Sequence, residues 1–162
     1  MDGAYGKQVI QVLDIKIATN EDKEAIYNMS MKFLEASGYD WRLNSNKVNA
    51  VIDDIVGAKG YSKICLLLTW EEKPIGMLAA ISDRPLFSDQ LIAEELVWWV
   101  EPEYRGKSSL SLLEAYEQWA QMMGCTGVRM ACLEDLNGNA VGRIYERNGY
   151  KKKESAYYKE FN

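Results

Sequence analysis

The chain has 162 residues, of which 48% are hydrophobic and 11% aromatic, so it can bury a core and lacks the composition of a disordered protein. Its formal net charge of −5 argues against broad electrostatic binding of nucleic acid. The absence of histidine excludes Ser-His-Asp and Cys-His nucleophile systems, and zinc sites built on histidine. Acid–base chemistry must therefore fall to Glu, Asp, Tyr, Lys, Cys or water, and we expect no metal site.

The three cysteines, Cys65, Cys125 and Cys132, form no Cys-x-x-Cys pair. We find no signal peptide and no apolar run long enough to span a membrane. These features predict reduced thiols, a cytoplasmic location and no membrane partner.

The N-terminal half predicts a strand followed by two helices. Residues 1–11 are expected to form a flexible arm, and residues 12–162 a single domain. Apolar alternation predicts a strand at 12–18. Thr19 or Asn20 caps a helix that ends at Ser37-Gly38, and a second helix is expected at 45–56.

The C-terminal half predicts more strands, joined by helices. We expect a hairpin of strands at 63–70 and 74–81, a loop at 82–90 and another strand at 92–100. An amphipathic helix at 108–123, a strand at 127–133, a short helix at 139–147 and a last strand at 150–161 should follow. This order is typical of an α/β fold with a mixed sheet and helices on both faces.

The junction at residues 100–110, Val-Glu-Pro-Glu-Tyr-Arg-Gly-Lys-Ser-Ser-Leu, joins an apolar strand directly to a helix N-terminus. Backbone N–H groups and the helix dipole at such a junction favour a phosphate group. Gly-Lys-Ser at 106–108 is similar to the end of a P-loop, but that pattern needs glycine where Glu101 stands. A nucleoside triphosphatase is therefore not expected.

Two motifs together resemble the GNAT (GCN5-related) acyl-CoA N-acyltransferase family. Residues 100–108 are similar to its pyrophosphate loop, and residues 144–150, Ile-Tyr-Glu-Arg-Asn-Gly-Tyr, to its Tyr-x-x-x-Gly-aromatic ending. They occur in the family's order, and the resemblance covers residues 12–161. It implies the GNAT fold, a mixed sheet of about six to seven strands flanked by about four helices. Residues 95–100 and 157–161 also resemble phage-encoded members.

The resemblance implies acetyl-CoA as the cofactor. The family's loop pattern is Gln/Arg-x-x-Gly-x-Gly/Ala; Arg105 matches it, whereas Ser108 replaces the first glycine and Leu110 the Gly/Ala position. The cofactor-binding residues implied are Trp98, Trp99, Val100, Arg105, Gly106, Lys107, Ser108, Ser109, Leu110 and Asn139. Asn137 is an alternative to Asn139, since neither has the family's usual spacing to Tyr145.

The resemblance also implies the catalytic groups. Tyr145 stands where the family places the acid that protonates the departing thiolate. The base is Glu94 or Glu95: counting back from Arg105 favours Glu94, and a change of one residue would exchange them. Regular alternation places Glu94 on the face of Trp98, so that one glutamate points into the cleft and the other away. A water chain is a third possibility for the base.

The expected reaction is direct transfer of acetyl from acetyl-CoA to a primary amine, of a small molecule or a protein, by a monomer or homodimer. Loop residues Tyr39, Trp41 and Phe87 are the candidate acceptor-binding walls. Two alternatives stay open: a catalytically inactive GNAT-fold binding or virion-associated module, and transfer of another acyl or aminoacyl group, for example to nucleic acid.

Overall fold

The structure is a computed structural model that describes residues 13–161. The helices are α1 (Lys23–Ala36), α2 (Ser45–Gly57), α3 (Lys107–Met122) and α4 (Gly138–Arg147), and the strands are β1 (Leu13–Ile17), β2 (Lys63–Trp70), β3 (Lys73–Asp83), β4 (Ile92–Val100) and β5 (Gly127–Arg129). Short 3₁₀ turns occupy Asn20–Asp22, Pro102–Tyr104 and Glu134–Leu136. None of the described helices is long and apolar enough to cross a membrane.

The described residues form one five-stranded sheet in the order β1-β2-β3-β4-β5. The first four strands are antiparallel neighbours, and β5 pairs with β4 in parallel. The parallel pair needs a crossover, and α3 supplies it, because β4 ends just before that helix and β5 begins just after it. The mixed α/β sheet predicted from the sequence is therefore confirmed.

The core has two layers, one on each face of the sheet. Alternate residues of β2 and β3 point to opposite faces, so Leu66 and Leu78 pack with α3, whereas Leu67 and Met77 pack with α1 and α2. The hydroxyl of Tyr116, a fully buried side chain of α3, donates to the carbonyl of Arg129 at 3.1 Å and ties this helix to β5. This packing confirms the prediction of helices on both faces.

Asp22 fixes the start of α1. Its carboxylate accepts hydrogen bonds from the backbone N–H and the hydroxyl of Thr19, at 2.8 and 3.1 Å, and pairs with the Lys16 ammonium at 2.8 Å. Burial tends to raise the pKa of Asp22, but the Lys16 and Thr19 hydrogen bonds outweigh it and hold the pKa below its ordinary value. Thr19, one of the two residues that the sequence offers, is therefore the cap of the 3₁₀ turn at Asn20–Asp22, which leads directly into α1, and Asp22 is the N-cap residue of α1 itself.

The predicted strand at 150–161 is wrong, and the predicted number of strands is too high. No ladder forms in this segment, whose side chains are exposed from residue 151 onward. Its first part, Lys-Lys-Lys-Glu-Ser-Ala, lacks the alternating apolar side chains that anchor a strand on a core. The strand predicted at 127–133 is also shorter, ending at Arg129. The N-terminal arm predicted at 1–11 lies outside the described residues.

Candidate active site

Strands β4 and β5 separate after three paired residues. The pairing ends where Glu94 lies opposite Arg129, and β4 then continues to Val100 paired with β3 only. A cleft of about 330 Å³ opens in this gap, lined by β4 on one side and by residues 131–145 on the other. The short β5 is thus what creates the cleft.

A β-bulge in β4 sets which side chains face the cleft. Ala79 of β3 lies opposite Val97, and the next residue, Ala80, lies opposite Glu95, so Leu96 has no partner. An extra residue of this kind moves the preceding side chains to the other face of the strand. Glu95 therefore shares the face of Trp98 and lines the cleft.

The expected facing of the two glutamates is corrected by this bulge. Regular alternation had placed Glu94 with Trp98, but Glu94 lies outside the cleft lining and pairs with the Arg129 guanidinium. Arg129 also pairs with Glu154 of the C-terminal segment. As predicted, one glutamate faces the cleft and the other away, but the one in the cleft is Glu95.

The backbone of Ala131 makes hydrogen bonds to two ionisable side chains of the cleft, Glu95 and Tyr145. Its N–H donates to Glu95 Oε2 at 3.2 Å, and its carbonyl accepts from the Tyr145 hydroxyl at 3.0 Å. The Tyr145 ring is buried and stacks on Trp98, with ring centroids 5.9 Å apart. Glu95 and Tyr145 are thus held by the N–H and the carbonyl of one residue, close to the point where the strands part.

The surroundings of Glu95 and Tyr145 shift both pKa values upward. Burial raises the pKa of Glu95 to about 7; the Ala131 N–H opposes this rise, and the Glu94 carboxylate adds to it. Burial also raises the pKa of Tyr145, and the Glu95 carboxylate adds to that rise. Glu95 can therefore gain and lose a proton near neutral pH, while Tyr145 keeps its proton.

Arg105 lies at the other end of the β4 wall, as part of the cleft lining. Its Nε donates to the Val100 carbonyl at 2.9 Å, and its guanidinium lies 4.8 Å from the centre of the Trp99 ring. Both contacts hold positive charge where the strand ends and the loop before α3 begins. The predicted residues Trp98, Trp99, Val100 and Arg105 are thus brought together.

The loop before α3 has the form expected of an anion site. Gly106 has a φ of +125°, a conformation that favours glycine, and no atom lies within 4 Å of where a Cβ would stand. Gly106, Ser109 and Leu110 line the cleft at the helix N-terminus. Lys107 and Ser108 are outside the lining; the Ser108 hydroxyl donates to the Tyr104 carbonyl at 2.9 Å.

Two polar groups of the cleft wall have no hydrogen-bond partner among the described residues. They are the buried indole N–H groups of Trp98 and Trp99, neighbours on β4. An unpaired buried donor costs about 1–3 kcal/mol, so these two groups lower the stability of the cleft wall.

The remaining predicted site residues, apart from Asn137, lie outside this lining. Asn137 lines the cleft, whereas Asn139 does not, so the alternative asparagine is the one at the site. Tyr39 and Trp41 stack on each other in the loop between α1 and α2. Phe87 is 96% exposed in the loop between β3 and β4, which does not support its expected role as a wall.

Several lining residues were missed by the sequence reasoning. Apart from Ala131, they are apolar side chains of α1, β4, the segment after β5, and α4, namely Phe33, Leu96, Leu133, Leu136, Ala140, Val141 and Ile144. Their residue types do not differ from those of core positions. The four-residue spacing of Ala140 and Ile144 on one face of α4 is the available signal.

The fold and cleft define a class, and comparison with known proteins identifies it. The family model described as the acetyltransferase (GNAT) family matches residues 23–150, so the chain belongs to that family. No curated protein matches the chain. The resemblance to phage-encoded members stays a prediction.

Solved structures with the same fold include several acetyltransferases. Aminoglycoside N-acetyltransferase AAC(6′)-Iy in complex with CoA is 14% identical, with 93% of this chain and 95% of that one covered and a TM-score of 0.71. A predicted acetyltransferase with acetyl-CoA from Clostridium acetobutylicum is 11% identical, with coverages of 93% and 96% and a TM-score of 0.73. Ribosomal-protein-alanine N-acetyltransferase from Brucella melitensis biovar Abortus 2308 is 12% identical, with coverages of 93% and 100% and a TM-score of 0.68.

Proposed function

We propose that the protein is an acetyl-CoA-dependent N-acetyltransferase that acts on a primary amine by direct attack in a ternary complex. The observation that carries the proposal is that Glu95 and Tyr145 are hydrogen-bonded to the N–H and the carbonyl of one residue, Ala131, near the point where β4 and β5 separate. A carboxylate and a phenol in one cleft support a reaction that needs both a proton acceptor and a proton donor.

The cleft residues suit acetyl-CoA, which would supply the acetyl group as a thioester. The edge of β4 that β5 leaves free beyond Glu94 offers backbone groups to an extended amide chain. Arg105 and the N-terminus of α3 suit a pyrophosphate, because both present positive charge or N–H groups. Two solved structures of the same fold are described with CoA or acetyl-CoA.

Glu95 is the base in this proposal. An alkyl ammonium cannot attack a carbonyl, so the acceptor must lose a proton before or during the attack. A carboxylate with a pKa raised to about 7 binds that proton more readily at neutral pH than an ordinary glutamate does. The Ala131 N–H fixes Glu95 Oε2, which leaves the other carboxylate oxygen for the amine.

Tyr145 is the acid. Its hydroxyl keeps its proton at neutral pH because burial raises its pKa, and the stack on Trp98 fixes the ring. With acetyl-CoA bound, the hydroxyl would give up its hydrogen bond to the Ala131 carbonyl and supply its proton to the sulfur that leaves, so that CoA would depart as a neutral thiol. Solvent then restores the proton on Tyr145.

A thiol-release assay with acetyl-CoA and a panel of amines tests the proposal. We expect CoA release that depends on an amine, with a mass increase of one acetyl group on that amine. Glu95→Gln should lower the rate, and its neighbour Glu94→Gln, which lies outside the cleft, is the matched control. Release of CoA at one rate with and without every amine would contradict acetyl transfer.

A further inference from the structure

Three aromatic side chains from distant parts of the chain meet beside the cleft. The rings of Tyr39 and Trp41 stack with centroids 4.2 Å apart and planes at 17°. Tyr158 of the C-terminal segment meets Tyr39 edge-on, at 5.8 Å and 87°. Trp41 is 52% exposed and Tyr158 is 65% exposed, so this aromatic cluster presents open ring surface to solvent.

A carboxylate is packed directly against the loop that carries the aromatic cluster. A Cβ on Gly38 would stand 1.6 Å from Asp135 Oδ2, so the carboxylate occupies the space that the missing side chain leaves. Asp40 follows, between the two stacked residues. Within residues 13–161, neither Asp40 nor Asp135 pairs with a basic side chain.

The cluster lies at the edge of the cleft because two elements connect them. Phe33 lines the cleft near the end of α1, and Gly38 follows that helix directly. On the other side, Leu136 lines the cleft, and its neighbour Asp135 is the residue packed on Gly38. The loop that carries the aromatic cluster therefore borders the cleft on the side of Phe33 and Leu136.

Aromatic ring faces next to carboxylates that lack a basic partner form a suitable binding site for a cation. A cation over an aromatic face gains about 0.5–2 kcal/mol, and an adjacent carboxylate adds Coulomb attraction. The amine that reacts cannot supply this charge, since it must give up its proton at Glu95. The charge must therefore belong to a second group of the same molecule.

We propose that the acceptor is a small molecule with at least two amino groups: one reacts at Glu95, and the other stays protonated on the aromatic cluster of Tyr39, Trp41 and Tyr158. This inference rests on the proposed function for the reacting amine only. Binding of the second amine needs no acetyl-CoA and is measured separately.

Direct titration of the protein with 1,5-diaminopentane, with 1-aminopentane as the one-charge comparison, tests the binding step. We expect the diamine to bind more tightly, and Trp41→Leu to weaken the diamine about tenfold while 1-aminopentane changes less than about twofold. Trp41→Phe keeps a ring and should restore most of the affinity. Phe87→Leu removes an exposed aromatic side chain outside the cleft lining and is the matched control.

Equal affinity for the two amines, or an equal loss of both in Trp41→Leu, would overturn the proposal. Salt should weaken the diamine more than the monoamine, and Asp135→Asn should reduce that difference. If the diamine binds as expected but is never acetylated, the cation site stands and the proposed function fails. If amines are acetylated with no preference for a second charge, the proposed function stands and the cation site fails.

Discussion

Glu94 and Glu95 are chain neighbours whose carboxylates have different surroundings. Glu94 pairs with Arg129 outside the cleft, so its charge is balanced. Glu95 is partly buried in the cleft wall beside Tyr145 and Trp98, and its pKa is raised to about 7. Which glutamate faces the cleft therefore depends on a shift of one residue in the alignment of β4 with β3.

The pH dependence of the rate reports on Glu95. Because a base acts only when deprotonated, kcat/KM should fall as the pH drops through about 7, the raised pKa of this carboxyl. Glu95→Gln should remove that limb and lower the rate at pH 8 about 10²-fold or more. Glu94→Gln should keep the limb but move it to lower pH, because the Glu94 charge no longer adds to the rise in the Glu95 pKa. A limb near pH 7 that persists in Glu95→Gln would assign it to another group.

Tyr145→Phe separates proton donation from packing. The phenyl ring can keep the stack on Trp98, while the hydroxyl that donates to Ala131 is lost. Turnover should fall about tenfold or more, and acetyl-CoA affinity should stay within a few-fold. Tyr150→Phe is the comparison, because its hydroxyl donates to Glu117 instead. Equal turnover losses in the two variants would indicate a structural role for Tyr145.

Among the elements, strand β4 positions the site. Its bulge at Leu96 turns Glu95 onto the face of Trp98. Beyond Glu94 it has no pairing with β5, and this part of the strand forms the cleft wall. Leu96 itself is 41% exposed, so its side chain contributes little to the core. The residue matters for the register that its backbone creates.

Deletion of Leu96 tests this account of the register. The Ala79–Val97 and Ala80–Glu95 pairs would then follow each other without the extra residue, so the Glu95 side chain should stay on the face of Trp98 and acetylation should stay within about tenfold of wild type. Circular dichroism and thermal melting establish that the variant folds. Leu96→Ala keeps the bulge and should keep activity within a few-fold. A folded deletion variant whose acetylation falls about 10²-fold or more would contradict this account.

The start of α1 has its own test. Asp22→Ala removes the cap bonds to Thr19 and the Lys16 pair, and should lower the free energy of unfolding by about 1–2 kcal/mol in denaturant titrations. Asp53→Ala breaks the exposed pair with Lys23 and should cost less than about 0.5 kcal/mol. A loss for Asp22→Ala no larger than for Asp53→Ala would contradict the capping role.

For the whole molecule, much of the fold was predictable from residue patterns. The periodicity of 108–123 and the apolar run of 92–100 predicted α3 and β4, because buried faces impose those spacings. Gly106 and Tyr145 were predicted to lie at the site by resemblance, and both line the cleft. Local structure can be predicted from the sequence where a turn or a helix cap requires a particular residue type.

Long-range pairing was the part that sequence patterns did not predict. The bulge at Leu96 depends on how β3 and β4 align, and no residue type in β4 marks it. The early end of β5 depends in the same way on its separation from β4, and the aromatic segment at 157–161 resembles a strand although it makes no ladder. The choice between Glu94 and Glu95 therefore required the three-dimensional arrangement.

Calorimetric titration with acetyl-CoA is the measurement that tests the central claim most directly, namely that the cleft between β4 and β5 holds the acetyl donor. The wild-type protein should bind with a dissociation constant on the order of micromolar. Ala140→Trp, which fills the cleft from α4, should abolish binding without unfolding the protein. Absence of binding to folded wild-type protein at millimolar acetyl-CoA, or undiminished binding by Ala140→Trp, would contradict the claim.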